Sequence, residues 1–437
     1  MNSKNHSENQ NNSTHQQLIC DISSQFVGKH ISIVGWVSKL IKLKTVTFIV
    51  VCDNTGLLQI AIKNKTPNQN EITKNSIIQA RGILQKSQSH DFDFELGVQS
   101  ITVISKAITQ SPLDMNSNIS YLDTRLNSRA LDIRNPKTAA IFKIRHNALI
   151  SIRASLIQKG FIEITTPKII GNAAEGGANL FSMKYFDNDA YLAQSPQLYK
   201  EQMMLGFNQI FEIATFYRAE KSHTLKHLSE FTSVDIECAF VNYSDIMNLI
   251  ESIIKNLYEF ILHNCKQEIN IINTKIPNSY KRPFKRFTYS QIVEKLQNND
   301  VGIKFGDDLL DSHLKLIGNL HPEFYFITDW PLKIKPFYIS EKYENDHLSQ
   351  SFDLQYGDIE ISSGGTRIYD YQKLKNRMID QNLNPSDFEN YLNVFNWGMP
   401  PHAGCGIGLD RLMMVLTNSK NIRETVLYPR DPNRLFP

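Results

Sequence analysis

In the C-terminal part of this 437-residue chain, strand-like runs repeatedly follow one another with no helix between them. "IFEIATFYR" gives way to "SVDIECAF" across a short charged turn, and "EFYFITD", "FYISEKY", "SFDLQYG" and "IEISSGG" come in succession. Parallel neighbours need a long, usually helical crossover between them, so this order demands a mostly antiparallel sheet. Helical patterns near 243–264, 287–297, 371–380, 384–394 and 408–418 then pack on that sheet, which makes an α+β domain. A further helix precedes them: Ile141, Ile144, Leu149, Ile152, Leu156 and Ile157 form an apolar stripe that stops at Gly160. "FIEITTPKII" resumes as a strand before Pro167. "CGIGLDR" lacks the third glycine of a dinucleotide fingerprint and the Lys-Ser/Thr of a phosphate loop, so both of those readings are excluded.

The N-terminal part is different. From Ile31, "ISIVGWVSKLI", "TVTFIVVCD", "LLQIAIKN", "SIIQARGIL" and "DFDFELGVQSITVISKA" are short β-branched runs separated by turn residues such as "CDNTG". Their spacing suits a small closed barrel of the oligonucleotide/oligosaccharide-binding (OB) type, or a generic small β domain. Single cores rarely grow past about 250–300 residues, so a multi-domain chain is expected. The boundaries read as a polar tail over 1–17, the barrel over 18–108, a linker over 109–135 and the α+β domain over 136–437.

Charge does not name a partner: 47 Lys and Arg against 44 Asp and Glu leave +3, a total in which a local basic face can hide. Cys20, Cys52, Cys238, Cys265 and Cys405 show no paired spacing, which favours free thiols in a reducing compartment. The start, "MNSKNHSENQNNSTHQQ", lacks a signal-like apolar core, and no run is long enough to span a membrane; a cytoplasmic location is expected.

Polar residues gather at the strand ends. Arg218 follows one strand and Phe231 opens the next, with Glu220 and His227 between them. A guanidinium can grip phosphate through paired hydrogen bonds, and a ring can stack on a base; an arginine paired with Glu220 or Glu230 for solubility gives the same local pattern. Arg411 follows a glycine-rich turn. Asp353 and Glu360, with Ser363 nearby, are hard oxygen donors suited to Mg2+, or else solvated turn acids. "SSGGTR" offers a backbone able to approach a ligand, with Arg367 beyond it. Glu175 lies at the tip of the lid-like "AAEGGANLF", and Gln197 and Lys200 in "QSPQLYK" orient a small amino acid or merely cap a helix. No Ser-His-Asp arrangement is assignable.

In this order, the pieces resemble the catalytic domain of class II aminoacyl-tRNA synthetases, closely the archaeal and eukaryotic aspartyl type. "FKIRHNALISIRASLIQKGFIEITTPKI" is similar to motif 1, "FYRAEKSHTLKHLSEFTSVDIE" to motif 2 and "GCGIGLDRLMMVL" to motif 3; "EGGANLF", "QSPQLYK", "KPFY", "ISSGG" and "YPRDPNRLFP" fill the aspartyl frame. The resemblance implies an aspartate–tRNA ligase using ATP and Mg2+, dimeric through motif 1, whose N-terminal OB-fold barrel binds the anticodon. It further implies that Arg218, Glu220 and Arg411 serve catalysis, Arg218 at the α-phosphate and Arg411 reaching the γ-phosphate. Phe231 would stack under adenine with Arg411 on its other face, while His227, Glu360 and Gly408 complete the ATP site. Asp353, Glu360 and Ser363 would form the metal shell. Lys200 and Arg367 would neutralise the aspartate side chain, Asp235 and Glu175 its ammonium, with Gln197 and Ser363 beside it and Lys335 close by. Asparagine would then leave a buried cation unpaired, which costs several kcal/mol, roughly. Phe48 and Gln59 match anticodon-contacting positions. Departures fall at Ser38, Cys52 and Thr366. The acceptor stays open between tRNA(Asp) alone and tRNA(Asp) with tRNA(Asn), as do an asparaginyl enzyme, an aspartate-activating paralogue with another acceptor, and a noncatalytic tRNA-binding protein.

Overall fold

The computed structural model describes residues 17–63, 67, 71–113, 120–171, 180–221, 224–276 and 283–436, in two compact units that meet at Arg134 and Asn135. In the first, β1 (His30–Lys42), β2 (Val46–Cys52), β3 (Leu57–Lys63), β4 (Ile77–Lys86) and β5 (Phe94–Ser105) close into a barrel in the order β1-β2-β3-β5-β4. Alternation decides which side chains fill it: Thr47, Ile49 and Val51 of β2 point inward with Leu58, Ile60 and Ile62 of β3. A Cβ at Gly82 would run into the Gly97 carbonyl, so that strand crossing requires glycine. The "CDNTG" turn is fixed by Asp53, whose carboxylate accepts from the backbone N–H of Thr55 (2.7 Å), Gly56 (2.9 Å) and Ile19 (2.9 Å). Ser38 lies where the β1–β2 register jumps between Val37 and Lys39, a β-bulge. The polar stretch after the barrel carries two short helices, Leu122–Asn127 and Arg129–Asp132, pinned by Asp132 accepting from Arg125 (3.0 Å) and buried Arg129 (2.7 Å).

The second unit is built on an eight-stranded sheet. In chain order its strands are β6 (Ile162–Glu163), β7 (Gln209–Tyr217), β8 (Glu230–Ala239), β9 (Lys285–Thr288), β10 (Phe324–Thr328), β11 (Ser351–Tyr356), β12 (Ile359–Thr366) and β13 (His402–Gly408). The spatial order is β9-β10-β11-β12-β13-β8-β7-β6, and only the outermost pair at each edge is parallel. Val234, Ile236 and Cys238 of β8, Phe352 and Leu354 of β11, and Ala403, Cys405 and Ile407 of β13 share one apolar face. Against it pack α1 (Pro136–Gln158), capped by Asn135, and α3 (Tyr243–Asn264), opened by an Asn242–Asp245 capping box. Two further helices, α2 (Gln197–Gln202) and α4 (Leu409–Thr417), carry polar side chains to the sheet's other face.

Several local outcomes differ from the sequence patterns. The glycine-rich stretch before Arg411 is no turn but the central strand β13, whose glycines make room for carboxylates on β8: a Cβ at Gly404 would collide with Glu237. The glycines of "SSGG" also pack closely on protein, a Cβ at Gly364 lying 2.5 Å from the Gly404 carbonyl and one at Gly365 2.7 Å from that of Gln350, while Gly364 still borders a cavity above the sheet. Helix Asp311–Leu320 escaped the pattern because Gly318 interrupts it, where the backbone of Gly357 and Asp358 packs directly on the helix. "FIEITTPKII" pairs only at Ile162–Glu163 and Ile169–Ile170, and in "FYISEKY" only Glu341–Lys342 is strand, while Phe337, Tyr338 and Ile339 are buried in the core. Among the described residues no helix is long and apolar enough to cross a membrane.

Candidate active site

The face of the sheet opposite the core carries the polar residues that alternate with the apolar ones: Ser233, Asp235 and Glu237 on β8, Asp353 on β11 and Glu360 on β12. Above it opens a cavity of about 340 Å3 lined by, among others, Arg218, His227, Phe231, Glu360, Arg367 and Arg411. The sheet thus gathers residues nearly two hundred positions apart.

At one end, β7 and β8 run antiparallel with Tyr217 opposite Glu230, which brings Arg218 back over Phe231, its Cζ 5.4 Å from the ring centroid. Arg218 Nη1 is 3.9 Å from Glu220, so the solubility pairing and the ligand-facing position coexist. Arg411 enters from α4, donating to the carbonyls of Lys226 (3.2 Å) and Glu360 (3.1 Å), with the Glu360 carboxylate 3.6 Å away. The cation on Phe231 in this structure is therefore Arg218. His227 is half-buried, its Nδ1 2.5 Å from Thr224 Oγ1, and burial followed by the Arg411 charge pushes its pKa down. Gly408 precedes α4 at the cavity wall.

Beneath these groups lies a joint that sequence reasoning missed. Asp410 accepts from Arg145 Nη1 (2.5 Å) and from the Thr232 backbone N–H (2.7 Å), and Arg145 Nη2 donates to Thr232 Oγ1 (2.9 Å). One carboxylate thereby ties α1, β8 and α4 together beside Phe231 and Arg411.

At the other end the structure brings Gln197, Lys200, Asp235 and Arg367 together, around a residue that sequence reasoning left out. Glu237 is fully buried and accepts from Arg367 Nε (2.9 Å) and Nη2 (3.2 Å), with Lys200 Nζ at 3.3 Å. Lys200 also reaches Asp235 Oδ1 (3.1 Å) and the Cys405 carbonyl (3.1 Å). Burial works against the Lys200 charge, but Asp235 and Glu237 outweigh it and hold its ammonium above the ordinary lysine value. Burial likewise opposes ionisation of Glu237, and Arg367 and Lys200 overcome it, holding that carboxyl low. The two cations are not waiting unpaired, a correction to the sequence expectation. Gln197 faces Arg367 (3.5 Å) and donates to buried Glu201 (2.5 Å), which also accepts from Tyr391 (2.7 Å). The signal for Glu237 was the glycine at 404, directly opposite it in the β8–β13 register.

Asp353 and Glu360 stand on adjacent strands, with Ser363 opposite Asp353. Lys335 Nζ binds Asp353 Oδ2 (2.8 Å), while Asp353 Oδ1 is buried without a partner. Glu360 is partly exposed, and desolvation by the neighbouring protein, then the Asp353 charge, pushes its carboxyl up. An orphaned carboxylate oxygen beside a second acid fits a divalent cation. Glu175 lies outside the described residues. On the barrel, Phe48 is half-buried on the outward side of β2, outside the core, with Gln59 two pairs away and donating to Glu95 (2.5 Å).

With this geometry in hand, residues 121–432 match the class II tRNA synthetases (D, K and N), and residues 31–104 match the OB-fold nucleic acid binding domain. The chain belongs to the class II tRNA synthetases. Its similarity to curated proteins runs almost end to end: 43% identity to the aspartate–tRNA(Asp/Asn) ligase of Sulfurisphaera tokodaii, over 96% of this chain and 99% of that protein. The aspartate–tRNA(Asp) ligase of Picrophilus torridus is 40% identical over 92% and 96%. Among solved structures, this class II synthetase is similar to the asparaginyl-tRNA synthetase of Pyrococcus horikoshii complexed with asparaginyl-adenylate (TM-score 0.91, 29% identity, 97% of this chain and 100% of that one). It is also similar to the aspartyl-tRNA synthetase of Entamoeba histolytica (TM-score 0.86, 28% identity, 100% and 96%).

Proposed function

We propose that the chain is an aspartate–tRNA ligase that joins L-aspartate to ATP, releasing pyrophosphate and forming aspartyl-adenylate, and then passes the aspartyl group to the terminal ribose of tRNA(Asp), with tRNA(Asn) as the second acceptor to test. The carrying observation is a single cleft with guanidinium and aromatic groups at one end and the buried Lys200–Glu237–Arg367 cluster at the other. Close curated relatives named as aspartate ligases support the choice of amino acid.

Arg218 and Arg411 hold the phosphates, and Phe231 offers its face to the base. The attacking carboxylate of aspartate is already ionised, so alignment and charge neutralisation carry the step and no protein base is needed. Asp353, Glu360 and Ser363 would hold Mg2+, which supplies further neutralisation of phosphate charge. Selectivity follows from donors rather than from an unpaired cation. Lysine and arginine carry only hydrogen-bond donors, so an asparagine NH2 in the same place would set donor against donor. Asp235 and Glu175 take the substrate ammonium, Gln197 and Glu220 orient the ligands, and Phe48 and Gln59 meet anticodon bases. Ile150, Ile157 and edge-strand Ile162 are exposed, and we assign them to a homodimer contact. Of the apolar stripe of α1 Ile157 takes part, whereas Ile144, Ile152 and Leu156 are consumed by the chain's own core. The cytoplasm suits this function. Pyrophosphate exchange with aspartate, asparagine and lysine, followed by charging of tRNA(Asp) and tRNA(Asn), tests the reading; no aspartate-dependent exchange would overturn it.

A further inference from the structure

The segment after α4 touches the charged turn between β7 and β8 at several points, although it contributes little to the cavity wall itself. Arg423 is buried and its guanidinium bridges to the turn: Nε donates to Asp431, and Nη1 to the Thr224 carbonyl (3.0 Å) and to Asn421 Oδ1 (3.2 Å). Thr224 in turn holds His227, which faces the cavity. On either side, the Ile422 N–H donates to the Leu225 carbonyl (2.9 Å) and the Ser229 N–H to the Arg430 carbonyl (2.8 Å). Leu228 packs on Ile422 and Met414 below.

We propose that Arg423 and Asp431 are positioning residues that hold the phosphate-facing turn, and through it Thr224 and His227, in the shape that accepts ATP. The proposal rests on reading the cleft as the nucleotide site. A turn of charged residues between two strands has few apolar contacts of its own, so its conformation needs an outside hold. A buried guanidinium suits that task because its planar fork serves a carboxylate and a carbonyl at once, which an ammonium cannot reproduce. Asp431 orients the fork and balances its charge. The hold is selective by position: these contacts reach the turn at the ATP end and none reaches Lys200, Glu237 or Arg367.

The test uses the full-length protein and initial rates of aspartate-dependent pyrophosphate exchange, with ATP and aspartate varied separately. Arg423→Lys keeps the charge opposite Asp431 but loses the fork. The double variant Arg423→Met with Asp431→Leu removes the buried ions together, a replacement buried pairs often tolerate without loss of stability. Both should raise the KM for ATP about ten- to a hundredfold, as expected for one lost charge-assisted hydrogen bond, while the KM for aspartate stays within about twofold. Thermal melting should match the parent for at least one of the pair. A folded variant with parental KM for ATP, or one in which both KM values rise together, would overturn the proposal. Failure of the parent protein to exchange with aspartate would instead overturn the functional reading.

Discussion

Replacing Glu237 by glutamine removes a charge while nearly keeping the shape. Glu237 lies at hydrogen-bonding or ion-pair distance from Arg367 (2.9 and 3.2 Å) and Lys200 (3.3 Å), with no exposed surface. Of the set Lys200, Asp235, Glu237 and Arg367, two positive and two negative, the variant keeps both cations and only Asp235. Breaking a buried ion pair from one side costs about 3–5 kcal/mol. Glutamine still offers one carbonyl acceptor, so the lower end applies, near 3 kcal/mol, or a melting decrease on the order of 5 °C. Bound aspartate brings a carboxylate that restores the balance, so the stabilisation by saturating aspartate should be larger in Glu237→Gln than in the parent, whereas asparagine should show no such gain. The pH dependence follows from the sign of the shift. Glu237 is held below the ordinary 4.5, so its contribution is complete above that value and is lost as pH falls through the depressed pKa. Differential scanning fluorimetry with aspartate or asparagine, at neutral and acid pH, reads all of this. Equal ligand-induced shifts in variant and parent would refute the charge argument.

Phe48→Ala should leave the barrel folded, since the ring lies outside its core, while lowering tRNA charging by the roughly 5- to 150-fold that loss of 1–3 kcal/mol of base stacking implies; unchanged charging kinetics would remove Phe48 from anticodon contact. Burial pushes the Asp53 carboxyl up, but hydrogen bonds from Thr55, Ile19 and Gly56 outweigh it and hold the pKa below 3.8. Barrel amides should therefore lose hydrogen-exchange protection as pH falls below that value, and Asp53→Asn should flatten the dependence while weakening the turn at neutral pH. Ile157→Asp combined with Ile162→Asp should move the mass seen by light scattering from twice 50.2 kDa to 50.2 kDa; a parent already monomeric and fully active would exclude the contact.

The parts legible in the sequence are those governed by period. Alternation in "TVTFIVVCD" shows both that β2 is a strand and, once Thr47, Ile49 and Val51 are inside, that Phe48 is not. Arg218 and Phe231 could be paired because a strand leads into and out of one short turn. What stayed hidden depends on contacts between distant segments. Nothing near Arg145 announces Asp410, and neither residue points to Thr232; only the closed sheet puts the three together. The glycines of β13 misled for a related reason. Glycine is a poor strand residue in isolation, and it becomes the required one only when the neighbouring strand brings a buried carboxylate to the same spot.

That last point also bears on how the amino acid is chosen. Glu237 can sit beside Lys200 and Arg367 only because residue 404 has no side chain, so strand β13 shapes this cluster through a missing side chain at 404 and the Cys405 carbonyl rather than through any polar side chain. With the cations already balanced by Asp235 and Glu237, the site need not hold bare charge while empty, which a buried position could not sustain. A substrate carboxylate then competes for donors held in fixed directions. Arg367 uses Nε and Nη2 on Glu237 and makes no hydrogen bond through Nη1 to any described residue. On the proposed reading, a guanidinium locked on one edge and open on the other presents donors alone to whatever enters, so it would accept the oxygens of aspartate and oppose the NH2 of asparagine by geometry rather than by net charge.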